Sequence, residues 1–245
     1  MFVTSTKHYK NILNSKKRVD NLKTDMLYQL TKKDVPELVR ILTECFQEDP
    51  LYCHLIPDKE IRKKIIPDVL QCDIEEEMIN NEIFADSKEM NGIIVVSDES
   101  EPYNPISFYA NEAYYALKTE ARLIKDDHSL KTFWNFLRGS EYLDSRWTHK
   151  LDKVNRIHII YFAVRPSKRG TGVADKLMEA VLNYVDANHL EISLETHNDH
   201  NIGLYQHFGF QIFEIINKHE DIKQYCMWRP VNNANEEECE KRKIN

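Results

Sequence analysis

The stretch RIHIIYFAVRPSKRGTGVA, residues 156–174, decides the fold of this chain. From Arg156 to Val164, Ile157, Ile159, Ile160, Phe162 and Val164 place apolar side chains on both faces, as in a strand covered on both sides at the centre of a sheet. Pro166 stops that strand, and a glycine-containing loop leads into Val173 to Asn188. There Leu177, Ala180, Val181, Tyr184 and Val185 share one helical face. Leu190 to Thr196 alternates again, with Leu190, Ile192 and Leu194 on one side. Strand, helix and strand in this order form a βαβ unit with parallel strands.

Working towards the N-terminus, Gly92 to Ser97 and Ile83 to Ala85 read as a hairpin around the polar turn 86–91. Between the hairpin and the central strand lies a block, 105–150, expected to hold two or three helices rich in aromatic residues such as Phe108, Trp134, Phe136, Tyr142 and Trp147. Met26 to Leu30 predicts a short strand, followed by a helix through Phe46 with Thr31 or Asp34 as its cap. Asp49 to Asp58, bounded by Pro50 and Pro57, reads as a loop, and a second helix reaches about Asn80, bent at Pro67. Beyond the βαβ unit, Asn201 to Phe208 predicts a short helix ended by Gly209, then strands at Phe210 to Ile216 and Gln224 to Arg229. The organisation is a basic leader (1–25), one α/β domain (26–230) with a helical insert at 105–150, and a charged tail (231–245) expected to be solvated.

Composition removes several classes of function. Lysine and arginine number 33 against 40 acidic residues, a net charge of −7 that argues against a nucleic-acid partner. No apolar run is long enough for a membrane span, and the leader has no secretory core, so a cytoplasmic protein without a membrane partner is expected. The five cysteines form no C-x-x-C pair. His197, His200 and His207 lack the carboxylate or cysteine partners of a known zinc spacing, so no metal is expected.

Glycine is scarce, with six in the chain, yet Gly170, Gly172, Gly203 and Gly209 fall within forty residues of one another. In Arg169-Gly170-Thr171-Gly172-Val173-Ala174 the glycines allow the amides to turn inward, and the start of the following helix adds partial positive charge at the same point. An anion, above all a diphosphate, suits such a loop, with Lys168 and Arg169 at its rim. The P-loop pattern is absent, and a dinucleotide fingerprint would need glycine where Asp175 stands.

Val164-Arg165-Pro166, Arg169-x-x-Gly172-x-Ala174, Leu194-Glu195-Thr196 and Asn201-x-x-x-Tyr205-x-x-x-Gly209-Phe210 together resemble the GCN5-related N-acetyltransferase (GNAT) superfamily. The resemblance covers about Arg156 to Pro230 well. Upstream, the helix at Asp34 to Leu42, Asp49-Pro50 and the long insert look like the puromycin N-acetyltransferase branch, as does Cys226-Met227. The implied fold is a mixed, mostly antiparallel twisted sheet of about seven strands, split between the fourth and fifth, with helices on both faces.

The resemblance further implies that acetyl-CoA lies in the split, its diphosphate on the amides of Arg169, Gly170, Thr171, Gly172, Val173 and Ala174. Its pantetheine arm would follow Phe162, Ala163 and Val164. An amine would attack the thioester directly, with a tetrahedral oxyanion stabilised by a main-chain amide near Val164. Tyr205 matches the family's general acid, and Asn201, one turn earlier, would orient the cofactor. The base is open between Glu195, His158, His197 and water. The acceptor implied is a primary amine on a small molecule, walled by 49–60 and 105–150, with the acidic run Glu75 to Glu77 favouring a cation. A protein lysine or N-terminus is the alternative acceptor, and a non-catalytic acyl-CoA-binding module the alternative to an enzyme. A monomer or homodimer is expected.

Overall fold

The computed structural model describes residues 26–99, 104–151, 155–219 and 221–231. The leader (1–25) and all but the first residue of the tail (231–245) therefore lie outside the described residues. The strands are β1 (Tyr28–Gln29), β2 (Glu82–Ala85), β3 (Gly92–Asp98), β4 (Arg156–Val164), β5 (Glu191–Thr196), β6 (Gln211–His219) and β7 (Ile222–Arg229). They form one sheet of order β1-β2-β3-β4-β5-β7-β6. Its one parallel pairing is β4 with β5, as the βαβ reading requires, and the rest are antiparallel.

Helices cover both faces. On one side, α1 (Val35–Phe46) and α3 (Lys59–Asn80) set Leu38, Ile41, Leu42, Ile65, Ile66 and Leu70 against Ile83, Ile93, Val95, Tyr161 and Ala163. On the other, α6 (Val173–Ala187) sets Leu177, Met178, Val181 and Val185 against Ile94, Val96, Ile157, Ile159, Ile192 and Leu194. Central strands buried on both faces explain why β3 and β4 read as nearly continuous apolar runs.

The sheet opens where the sequence quoted first is most apolar. β4 pairs with β5 from Arg156↔Glu191 to Ile159↔Leu194 and no further. Against β3, Val96 faces Ile159 but Val95 faces Tyr161, so Ile160 is an extra residue, a β-bulge. The bulge resets the alternation: Ile160 and Tyr161 both face the α1/α3 side, and Phe162 returns to the α6 side. Past it, 160–164 keeps β3 as a neighbour and has no strand partner on its other edge among the described residues. Arg165 locks the end of β4 in place: its amide donates to the Asn91 carbonyl at 2.9 Å, and its guanidinium pairs with Glu37 and Glu44 of α1.

Two local expectations, the loop from Pro50 to Pro57 and the cap of α1, differ from what is found. The segment between Pro50 and Pro57 is not a plain loop but contains α2 (Pro50–Leu55), because Asp49 accepts from the Leu51 amide at 2.9 Å and Pro50 fits the first helical turn. Pro67 lies inside α3, which runs through it as one helix. Asp34 sits at the start of α1 but turns back, accepting from the amide and hydroxyl of Thr31 at 2.8 and 2.9 Å rather than capping the helix. The insert consists of α4 (Pro105–Asp126), α5 (Lys131–Arg138) and two short 3-10 turns, Ser140–Tyr142 and Arg146–Lys150.

Candidate active site

The free edge of β4 forms one wall of a groove. Arg165 donates towards β3, so alternation along the strand turns the backbone groups of Val164 and Phe162 the other way, into the gap. The Val164 carbonyl there accepts from Arg169 Nε at 3.4 Å and from the Cys45 thiol at 3.5 Å. The groove holds about 560 Å³ and is lined by Ala163, Val164, Lys168, Arg169, Gly170, Gly172 and Ala174 on one side. Asn198, Asn201, Leu204 and Tyr205, the last two on α7 (Ile202–His207), line the other.

The loop at the head of α6 has the conformation an anion needs. Gly170 and Gly172 take φ of +72° and +81°, left-handed values that a side chain resists. Among the described residues no backbone carbonyl accepts from the amides of residues 170–175, whereas the Arg169 amide reaches the Pro166 carbonyl at 3.4 Å. Two loop members do not line the groove with their side chains. Thr171 turns its hydroxyl to the Lys168 carbonyl at 2.7 Å, and Val173 packs towards Gly92 on the sheet. Their amides remain part of the ring of donors.

Behind the groove lies a second, smaller cavity of about 150 Å³. Phe46, Asp49, Phe162, Asn201 and Tyr205 border both spaces and so mark where they meet. Tyr205 is buried, with its ring 6.2 Å from that of Phe162 and 6.0 Å from that of Phe210. Burial first, and then the nearby charge of Asp49, raise its phenol above the ordinary tyrosine range, so it stays protonated. Burial likewise pushes Asp49 up to about 6, with the Leu51 amide opposing.

The inner wall carries the polar groups. His158 and Glu195, on neighbouring strands, pair at 3.0 Å, and Trp147 donates its indole N–H to the other carboxylate oxygen. Ser193 lies 2.8 Å from His158 Nδ1 and Ser145 lies 3.1 Å from Nε2. Burial opposes charge on both partners, but their attraction outweighs it: Glu195 is held below the usual carboxylate range and His158 above the usual imidazole range. His197 is pushed down to about 4 by burial, and its Nε2 is enclosed without a hydrogen-bond partner. Tyr161 donates to Asp73 at the far end, where burial raises the carboxyl of Asp73.

Residues 95–210 match the model of the acetyltransferase (GNAT) family. That stretch is a GNAT-family domain. An uncharacterized N-acetyltransferase of Schizosaccharomyces pombe is 25% identical over 190 residues, covering 73% of this chain and 71% of that protein. A solved structure from Corynebacterium glutamicum, described as a histone acetyltransferase and related acetyltransferase, aligns with a TM-score of 0.55 at 17% identity, over 84% of this chain and 96% of that one. Arylalkylamine N-acetyltransferase 2 from Aedes aegypti aligns at 13% identity and a TM-score of 0.49, over 84% and 98%.

The protein is thus an acyltransferase, and acetyl-CoA is the co-substrate of its family. This GNAT domain gathers Phe162, Ala163, Val164, Lys168, Arg169, Gly170, Gly172, Ala174, Asn201 and Tyr205 around one groove. Glu195 is set apart from them in the inner cavity, and it is a largely buried, paired carboxylate rather than a strand-end side chain in solvent. The acidic run Glu75 to Glu77 does not line the cavity: Glu75 pairs with Lys118 and Glu77 accepts from Asn81. The carboxyls that do line it are Asp49, Asp73, Asp144 and Glu195. Asp49 and Asp73 were not singled out as site residues in the sequence. Asp49-Pro50 did carry a signal, because Asp before Pro is a helix-start pair and fixes the carboxylate in place.

Proposed function

We propose that this GNAT enzyme acetylates the primary amine of a small cationic molecule about the size of one aromatic ring. The observation that carries the reading is the meeting of two spaces at Asp49, Phe162, Asn201 and Tyr205. The outer groove suits the extended arm and diphosphate of acetyl-CoA. The inner cavity, about 150 Å³, suits a short acceptor, since an apolar cavity of roughly that size admits benzene. Its aromatic walls, Phe136, Tyr142 and Tyr161 among them, and its carboxyls favour an ammonium on an apolar body. The likeness to the puromycin branch points to a small-molecule acceptor as well.

In this reading the loop amides of residues 170–175 hold the diphosphate, and the free edge of β4 at Phe162 and Val164 pairs with the pantetheine arm. Acetyl-CoA supplies an activated acyl carbon. The acceptor nitrogen attacks that carbon, a C–N bond forms, and the C–S bond breaks. The protein's task is proton traffic. An amine of ordinary basicity arrives charged, and Asp49, with its carboxyl raised to about 6, is better matched to remove the proton near neutral pH than an ordinary carboxylate. Tyr205 keeps its proton until sulfur departs, donates it there, and is reprotonated by the second proton that the acylated nitrogen releases. Glu195, both of whose oxygens are engaged, would draw the ammonium in by its field; His158, charged by that pairing, has no free lone pair with which to act as the base.

Thiol release from acetyl-CoA, measured across arylalkylamines, polyamines, aminated antibiotics and peptides, tests the proposal. The highest kcat/KM should fall on single-ring or short-chain amines. A preference for peptides, at a lysine or an N-terminus, would assign the enzyme to protein substrates instead.

A further inference from the structure

The outward face of α4 is apolar along its whole length. Ile106, Ala110, Ala113, Leu117, Ala121 and Ile124 recur at intervals of three and four residues, and all are exposed. Tyr109 and Tyr114 flank this stripe at 48% and 59% exposure, with Ile106 at 83% and Leu117 at 66%. The helix turns most of its charge sideways, where Lys118 pairs with Glu75 and Arg122 with Asp68 of α3. An amphipathic surface helix normally does the reverse and sends its apolar stripe to the core.

We infer that this face of α4 is a homodimer interface, in which two copies of the helix pack antiparallel about a twofold axis at the level of Tyr115. The order of residues supports a second copy as the occupant. With that axis, Ile106 meets Ile124 of the second copy, Tyr109 meets Ala121, and Ala113 meets Leu117. Between the isoleucine pairs at its two ends, large faces small along the seam, and the alanines let the backbones approach. The same patch serves both copies, as twofold symmetry demands.

The area is sufficient. The exposed stripe presents on the order of 500 Å² of side chain, the size of the largest patch on a typical monomer. Pairing two copies buries about 1,000 Å² in total, where specific interfaces begin. A lipid surface fits less well, because a helix lying on a membrane carries basic residues beside its apolar face. Here Lys118 and Arg122 are tied to α3, and the chain's net charge is −7.

The test is the mass of the full-length protein in solution, by light scattering after gel filtration and by sedimentation equilibrium. The wild type should show twice the monomer mass, and Ala113→Lys and Leu117→Glu should each show the monomer mass while keeping wild-type circular dichroism. Mixing the two variants should restore a dimer, since the antiparallel pairing brings the new lysine of one copy against the new glutamate of the other. A monomeric wild type overturns the proposal, as does a dimer that survives both substitutions. Failure of the mixture to reassociate overturns the antiparallel arrangement and with it the interface as stated.

Discussion

His158 on β4 and Glu195 on β5 form a largely buried ion pair at 3.0 Å, on adjacent strands, on the face of the sheet that closes the inner cavity. Their linkage to pH follows from the directions of their shifts. Glu195, held below its usual range, contributes stability that is lost as pH falls through its folded value. His158, held above its usual range, contributes stability that is lost as pH rises through its own. Removing one member strands the other, at a cost of about 3–5 kcal/mol for a buried pair. Glu195→Gln should therefore lower the melting temperature by several degrees at neutral pH. It should also abolish the loss of stability at high pH, because an unpaired buried His158 is already neutral there. Thermal melts across pH check both effects, and an unchanged alkaline limb would show that the pair is not charged in the native state.

Tyr205 stands at the meeting point of groove and cavity with its phenol fully protonated. If it protonates the departing thiolate, Tyr205→Phe removes the proton and leaves the ring contacts with Phe162 and Phe210 in place. General acid catalysis is worth about 10²–10⁴ in rate, so kcat should fall by about 100-fold or more. Affinity for CoA, read by calorimetry, should stay near the wild-type value. A loss in affinity with kcat preserved would make the tyrosine a binding residue.

Asp49 gives a prediction in which activity and stability move in opposite directions. A carboxyl whose folded pKa is raised, here to about 6, contributes most below its unfolded pKa, and that contribution is lost as pH rises through the folded value. Above pH 6 the buried charge costs up to about 3 kcal/mol, taking about 1.4 kcal/mol for each pKa unit. Asn still caps α2 at this position but carries no charge. Asp49→Asn should thus raise the melting temperature at pH 8, do so much less at pH 4, and depress kcat/KM at both. The wild-type kcat/KM should climb with pH through about 6. A variant that keeps full activity would move the base elsewhere, with His197 and its unpartnered Nε2 next in line.

The parts of the site that were legible in sequence are those built from neighbours along the chain. β4, the glycine loop, α6 and the Asn201 to Tyr205 turn each announce themselves by a local period or by glycine, and they bring the outer groove with them. The inner cavity is different in kind. Asp49, Asp73, Tyr161 and Phe136 come from the cap of α2, α3, β4 and α5, and only tertiary packing joins them. The acidic run Glu75 to Glu77 misled for the same reason: its position on α3 turns it to Lys118 and Asn81, away from the cavity, while Asp73, two residues earlier, points in. Glu195 was correctly placed on the face opposite Leu194. Its pairing with His158 was beyond reach, because parallel register between β4 and β5 is not written in either strand alone.

The proposal that the glycine loop holds the diphosphate can be tested without touching a charged side chain. Gly172 sits at φ +81° with nothing within 4 Å of where a Cβ would stand, so backbone conformation, not crowding, requires glycine there. Alanine in that region costs about 1–2 kcal/mol, and tenfold in affinity corresponds to about 1.4 kcal/mol. If the loop relaxes towards an ordinary turn to escape the strain, its amides rotate out of the ring and CoA binding weakens by roughly tenfold. If the fold holds the loop in place, the cost appears in the melting temperature instead. Gly203 on α7 is the control, since it is exposed, has no positive φ and also has open space around it. Calorimetry with CoA should show Gly172→Ala binding about tenfold more weakly and Gly203→Ala binding as the wild type does. Equal affinity for both, with both melting temperatures unchanged, would mean that the amides of residues 170–175 do not carry the diphosphate, and the cofactor would then have to be held chiefly by Lys168, Arg169 and the edge of β4.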